Sequence, residues 1–157
     1  MNFQNRIEKL DYEKMNGSHL TKVVTMEASS SLTPWSKTSF IKEMLNPLAY
    51  CFISKGVGLL NSPLVGYICF RNIAEESELL NICVHPHYRQ LGIGKNMMQF
   101  YIDLCSHMKI KTFYLEVNSL NQAALHLYQC FSYQPFGKRK NFYQGQFDAL
   151  LMVKRMD

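Results

Sequence analysis

A mixed α/β sheet of about seven strands flanked by about four helices is the fold class that the hydropathy pattern of this chain predicts. It rests on three features of the pattern. Short apolar runs and helical periodicities follow one another in the order β, α, α, β, β, β, α, β, α, β, β, which places helices on both faces of one sheet. Leu79 to Val84 is apolar except for Asn81, as in a central strand buried on both faces. That run stops at His85-Pro86, since proline cannot donate to a ladder, and a glycine-containing turn follows. Beyond the turn, Ile93, Met97, Tyr101, Leu104 and Met108 recur at helical spacing.

Taken in order, Arg6 to Leu10 reads as a short edge strand. Leu20, Val23, Val24 and Met26 then mark a helix over Ser18 to Ala28, with Ser18 able to cap it. Ser29-Ser30-Ser31 is a loop. Ser36 is placed to cap a second helix carrying Phe40, Ile41, Met44 and Leu45, which Asn46-Pro47 closes. Strands follow at Ala49 to Ser54 and Leu64 to Phe70, with Gly56-Val57-Gly58 read as hairpin punctuation because no helix stands behind it. Ala74-Glu75-Glu76 is a solvated turn before the central strand. Thr112 to Val117 is the next strand, Asn121 to Phe131 the next helix, and Pro135 to Tyr143 with Phe147 to Val153 the closing pair.

One domain over residues 1–157 holds all of this, without repeats or an interdomain linker. A chain of this length buries roughly two-thirds of its unfolded surface, so a core fed by 47% hydrophobic residues needs neither disulfides nor a structural metal. The cysteines, Cys51, Cys69, Cys83, Cys105 and Cys130, are widely spaced, odd in number and mostly inside apolar runs, as thiols of a reducing cytoplasm are. The N-terminal stretch carries Arg6, Glu8 and Lys9 without an apolar segment, and the longest apolar run, Leu48 to Ile53, is too short to span a bilayer. A soluble cytoplasmic protein with no membrane partner is expected, as a monomer or weak homodimer. The net charge of +5 fits an anionic ligand as well as simple solubility. Its densest cluster is only Lys138-Arg139-Lys140, which disfavours a dedicated nucleic-acid binder.

A helix opening on two glycines presents N–H groups with no side chain before them, and its dipole favours an anion there, phosphate above all. A P-loop needs glycine at position 89 and Ser or Thr at 96, where Arg89 and Asn96 stand. A dinucleotide fingerprint needs glycine at 97, which is Met97. What remains, Arg89-x-x-Gly92-x-Gly94 at a strand-to-helix turn, resembles the coenzyme A pyrophosphate loop of the GNAT superfamily of N-acetyltransferases. The order of elements matches that fold as well. Most of the chain resembles the bacterial ribosomal-protein alanine N-acetyltransferases of the superfamily. The like segments are Pro34-Trp35-Ser36, Asn81 to Val84, Arg89 to Lys95, Leu115-Glu116-Val117, Asn121, Leu127-Tyr128, Arg139 to Tyr143 and Asp148 to Met152.

The resemblance implies acetyl-CoA as cosubstrate, no metal, and a peptide or protein N-terminus, from a ribosomal protein, as acceptor. Transfer from a thioester to an amine needs a base, because an α-amino group has a reference pKa of about 7.7–8.0 and is mostly protonated at neutral pH. Glu116 is the candidate: strand alternation sets it with Thr112 and Tyr114, opposite Phe113, Leu115 and Val117. A carboxylate partly desolvated there is costly unpaired and moves toward a basic range. In the resembled enzymes the matching Glu accepts the proton and the tyrosine matching Tyr128 is the general acid; Tyr128 reads equally as an aromatic of the helix face. Asn121 caps its helix and, by resemblance, bonds the cofactor. Ile82, Cys83 and Val84 would act through backbone groups on the acyl arm. Gln90, Leu91, Gly92, Ile93, Gly94 and Lys95 would hold the pyrophosphate, with Arg89 and Lys95 adding charge. Trp35, Asn141 and Tyr143 would flank the acceptor.

Other readings remain open: a small amine or lysine side chain as acceptor, or a non-catalytic acyl-CoA-binding module. Acyl transfer through the Cys83 thiol has no histidine at a suggestive spacing to activate it, and Cys83, His85 and His87 as metal ligands lack a second ligand pair. Two segments depart from the family pattern. His85-Pro86-His87-Tyr88 replaces common acidic residues, and Ser132-Tyr133 stands where Gly-Phe is usual, although serine suits a left-handed helix end less well.

Overall fold

A computed structural model describes residues 6–157; the part of the N-terminal stretch that falls on residues 1–5 lies outside the described residues. The elements run β1 (Lys9–Lys14), α1 (Leu20–Ser30), α2 (Lys37–Leu45), β2 (Ala49–Val57), β3 (Leu64–Ile73) and β4 (Glu76–Val84). Then come α3 (Ile93–His107), β5 (Thr112–Asn118), α4 (Gln122–Cys130), β6 (Gln134–Tyr143) and β7 (Phe147–Arg155). The strands form one 7-stranded mixed sheet in the order β1-β2-β3-β4-β5-β7-β6. Among the described residues, only β4 and β5 pair in parallel, and α3 is the crossover that a parallel pair requires. No helix of the described residues is long and apolar enough to cross a membrane.

The core lies in two layers because β3 is buried on both faces. Ile68 and Phe70 join Tyr101, Phe113 and Met152 under α3 and α4. Tyr67 and Cys69 join Val23, Met26 and Phe40 under α1 and α2. Two glutamates are taken inside with the second layer. Glu43 of α2 receives Arg71 of β3 through both carboxylate oxygens, at 2.6 and 2.5 Å. Four of the cysteines are buried free thiols, and Cys130 is exposed.

Several boundaries differ from the sequence reading: α1 takes in Ser29 and Ser30, which read as loop, β4 begins at Glu76, which read as turn, and three further differences have a local cause. The first strand is an edge strand, but it covers Lys9–Lys14 rather than Arg6 to Leu10. Tyr12 decides the register: its ring stacks on Phe100 of α3 with centroids 3.8 Å apart and its hydroxyl bonds Asn96. Ser18 does not cap the first helix: Asn16 caps the 3₁₀ turn Gly17–His19 that leads into α1, and His19, at the cap position of α1 itself, makes no side-chain bond to it. Asn16 Oδ1 accepts from the Ser18 N–H at 2.9 Å while the Asn16 N–H donates to His19 Nδ1 at 3.1 Å, a reciprocal cap that opens on a short 3₁₀ turn. β2 runs on through Gly56 and Val57 because β1 pairs with it there, so Gly58, at φ +99°, makes the turn. The second helix begins at the Ser36 cap as read, Ser36 Oγ accepting from the Ser39 N–H at 3.1 Å.

The serine that departs from the family pattern does take the left-handed conformation. Ser132 has φ +66°, its N–H donates to the Gln129 carbonyl, and the Tyr133 N–H reaches back to the Tyr128 carbonyl at 3.2 Å. This is the paired bonding of a Schellman end, and the Tyr133 ring packs on Tyr128 to complete it. An L-residue in that conformation costs about 1–2 kcal/mol, and glycine would return part of the gain as lost chain entropy. Ser132→Gly is therefore expected to raise the unfolding free energy by about 0.5–1 kcal/mol, read from urea denaturation.

Candidate active site

The site originates in a break between two strands. β4 and β5 are paired from Glu76↔Thr112 only as far as Leu79↔Leu115. Beyond that β5 stays with β7 as far as Asn118↔Ala149, while β4 stays with β3 as far as Val84↔Gly66. A bulge assists the parting: Leu79 faces Phe70 and Asn81 faces Cys69, so Leu80 has no opposite residue and β4 bends. The gap is a cleft of about 820 Å³ whose walls are β4 and β5, with α4, the α3 turn, the end of α1 and the β6–β7 hairpin around it. Among the described residues, no strand pairs with the edge of β4 that faces the gap from Leu80 to Val84.

At one end the cleft meets the start of α3. Gln90 and Gly92 both have left-handed backbone, φ +63° and +78°, and Gly92 stands at the cap position with no side-chain bond to the helix. The first intrahelical bond runs from the Asn96 N–H to the Gly92 carbonyl, so the N–H groups of Ile93, Gly94 and Lys95 have no partner inside the helix. A Cβ on Gly94 would meet Leu127 at 3.5 Å and Val84 at 3.7 Å, so glycine keeps open a cradle between α3, α4 and β4. Arg89 is already engaged, its Nε donating to the Val84 carbonyl at 3.2 Å and its terminal nitrogen to Ser30 Oγ at 2.9 Å. Its guanidinium thus fixes the end of β4 to the end of α1.

Glu116 and Tyr128 both line the cleft, with Asn121, Ile82, Cys83, Val84, Arg89 and Gln90, and with Gly92, Ile93 and Gly94 at the turn. Glu116 is not the unpaired carboxylate that strand alternation alone describes: Arg139 of β6 sits 3.0 Å away, and the Glu116 side chain is 25% exposed. Arg139 also lies over the Phe142 ring. Tyr128 is buried, and burial, helped by the neighbouring Tyr143, raises its phenol above the ordinary range. It therefore keeps its proton at neutral pH and has an O–H to donate. Among the described residues its hydroxyl bonds no protein atom and is not sealed in. Asn121 caps α4, its Oδ1 accepting from the Ala124 N–H at 3.1 Å.

The structure does not bring every expected residue to the cleft wall. Leu91 is 61% exposed and the Lys95 side chain is exposed on α3. Trp35 packs on Phe40 with ring centroids 5.1 Å apart, and Asn141 sits in a bulge of β6 at φ +52° with its N–H held by Asp148. Tyr143 lines the cleft, and so does Phe147 of β7, which sequence reasoning missed. Also missed were Glu27 and the stretch from Ser30 to Thr33. Glu27 did have a signal: it follows Leu20 and Val23 on the apolar stripe of α1, a place where a carboxylate needs a reason. Across the rim, Gln144 Nε2 donates to the Leu32 carbonyl at 2.8 Å and ties the β6–β7 turn to the α1–α2 loop. The Cys83 thiol is pushed up by burial, against pulls from Ser30 and Tyr67, which makes it a weak nucleophile. His85 caps the turn after β4, its Nδ1 accepting from the His87 N–H at 3.1 Å.

Known proteins of similar sequence and fold bear on this cleft. Residues 20–133 match the model of the Acetyltransferase (GNAT) family. A Bacillus subtilis (strain 168) protein, provisionally named a ribosomal protein bS18-alanine N-acetyltransferase, is 33% identical over 92% of this chain and 94% of its own. The ribosomal protein bS18-alanine N-acetyltransferase of Escherichia coli (strain K12) is 25% identical over 82% of this chain and 85% of its own. The crystal structure of the ribosomal-protein-S18-alanine N-acetyltransferase from Escherichia coli superposes with a TM-score of 0.84 at 23% identity, covering 95% of each chain. That of Arabidopsis thaliana NAA60 with a bisubstrate analogue gives 0.83 at 17% identity, over 95% of this chain and 100% of its own. The split sheet, the bare helix start at its end and these likenesses have one reading: this chain belongs to the acetyltransferase (GNAT) family.

Proposed function

We propose that this enzyme transfers acetyl from acetyl-CoA directly to the N-terminal α-amine of a protein beginning with alanine, a ribosomal protein by analogy with its named relatives. The observation that carries the reading is the parting of β4 from β5 after Leu79, which leaves a free strand edge running from Glu116 and Tyr128 toward the unpaired N–H groups of α3. The residues fit the cosubstrate: a helix start without a side-chain cap suits a diphosphate, and the open edge of β4 suits an amide-bearing arm. Bound there, acetyl-CoA supplies a thioester-activated acetyl group. The N–H groups of Ile93 to Lys95 hold negative charge, and the backbone of Ile82 to Val84 aligns the acyl arm. Glu116 takes the proton that the amine must lose, directly or through one water. Tyr128 holds at its hydroxyl the proton that the departing sulfur needs, and its raised phenol keeps that proton in place until then.

Purified protein incubated with acetyl-CoA and a panel of peptides, polyamines and free lysine tests the acceptor, with mass spectrometry locating the added acetyl. Alanine-starting peptides are expected to be acetylated at the α-amine with the highest kcat/KM. Preference for a polyamine or a lysine side chain would replace the acceptor and leave the reaction class standing. Acetyl-CoA binding without turnover on any amine would replace the enzyme by a sensor.

A further inference from the structure

We infer that Glu27 is the docking point for the positively charged amino group of the acceptor, a role separate from that of the base. The inference rests on the reading that peptide N-termini are the substrate. Glu27 and Glu43 are both almost wholly buried, 4% and 5% exposed, and the protein treats them differently. Glu43 has its counter-charge in the two-point contact with Arg71. Glu27 has none: Oε2 accepts from the Tyr67 hydroxyl at 2.5 Å and from Asn81 Nδ2, both neutral donors. Among the described residues Oε1 accepts nothing, and no Lys, Arg or His forms an ion pair with Glu27. A carboxylate taken out of water without an opposite charge is costly, and two neutral donors orient it without compensating it.

The missing charge has a source in the reaction. An α-amine arrives mostly as ammonium at neutral pH. Two glutamates line the cleft, and Glu116 is already matched by Arg139 at 3.0 Å, so the uncompensated negative charge facing the incoming amine belongs to Glu27. Its bonds to Tyr67 and Asn81 tie it to β3 and to β4 beside the open edge, so the amine is received next to the acyl arm and then surrenders its proton to Glu116. An interaction with the ammonium form is one of binding and not of the transition state, since the charge is gone when the nitrogen attacks.

Glu27→Gln keeps the shape and the acceptor oxygen while removing the charge. Its KM for an alanine-starting peptide is expected to rise ten-fold or more, with kcat unchanged or raised and the KM for acetyl-CoA unchanged. Calorimetry in the presence of CoA adds a readout that a merely structural role would not move. The wild-type protein is expected to bind the alanine peptide at least ten-fold more tightly than the same peptide carrying propionyl in place of alanyl, and Glu27→Gln to bind the two alike. If Glu27→Gln does not fold, the same comparison is made in Glu116→Gln, where the preference for the amine should persist. Its disappearance there, an unchanged peptide KM in Glu27→Gln, or a fall in kcat alone overturns the inference. A wild-type protein that binds acetyl-CoA but acetylates no peptide sinks the substrate reading and this inference together; turnover with an indifferent Glu27→Gln sinks this inference alone.

Discussion

Glu116→Gln is expected to lower kcat by about 100-fold while leaving acetyl-CoA binding and thermal stability unchanged, because a positioned base contributes roughly 100- to 10,000-fold to such a step. The side-chain oxygen that remains can still accept from Arg139, which sits 3.0 Å from the carboxylate, so the contact between β5 and β6 survives the substitution. Stopped assays across pH would show the variant gaining rate toward alkaline conditions, as an amine with a reference pKa of about 7.7–8.0 loses its proton without help. Tyr128→Phe is expected to lower kcat about ten-fold, with the Schellman packing on Tyr133 retained. Unchanged rates in both variants would remove the roles assigned to the pair.

The largest effect on stability is expected from Arg71→Ala. Glu43 lies in the layer between α2 and β3, and Arg71 is the partner that makes its burial tolerable. Breaking a buried pair from one side costs about 3–5 kcal/mol, because the remaining charge has no compensation. The Arg71 side chain is 40% exposed, so water reaches part of the vacated space and about 2–3 kcal/mol is the figure to expect. That is a large share of the roughly 5–15 kcal/mol holding a domain of this kind. The urea midpoint should fall without a change in slope, and pairing Arg71→Met with Glu43→Leu should recover most of the loss.

Element order was legible in the residues because each helix or strand carries its own period, and so were the Ser36 cap and the glycine turn before α3. The parting of β4 from β5 was not: LLNICV looks the same whether or not a neighbour follows it to the end, and the bulge at Leu80 exists only in the pairing with β3. Capping was ambiguous for a different reason. Asn16 and Ser18 are comparable as caps, and the choice falls to His19, which answers the Asn16 N–H. The Glu116–Arg139 contact joins β5 to β6 across β7, a juxtaposition set by strand order and invisible to spacing along the chain. Glu27 stood on the apolar stripe of α1, which was signal enough to single it out, but its partners Tyr67 and Asn81 come from β3 and β4 and are invisible to spacing along the chain.

The bond from Gln144 to the Leu32 carbonyl makes the mouth of the trough an eyelet. The fastening is one exposed hydrogen bond, worth about 1 kcal/mol, so the ring it closes opens at little cost.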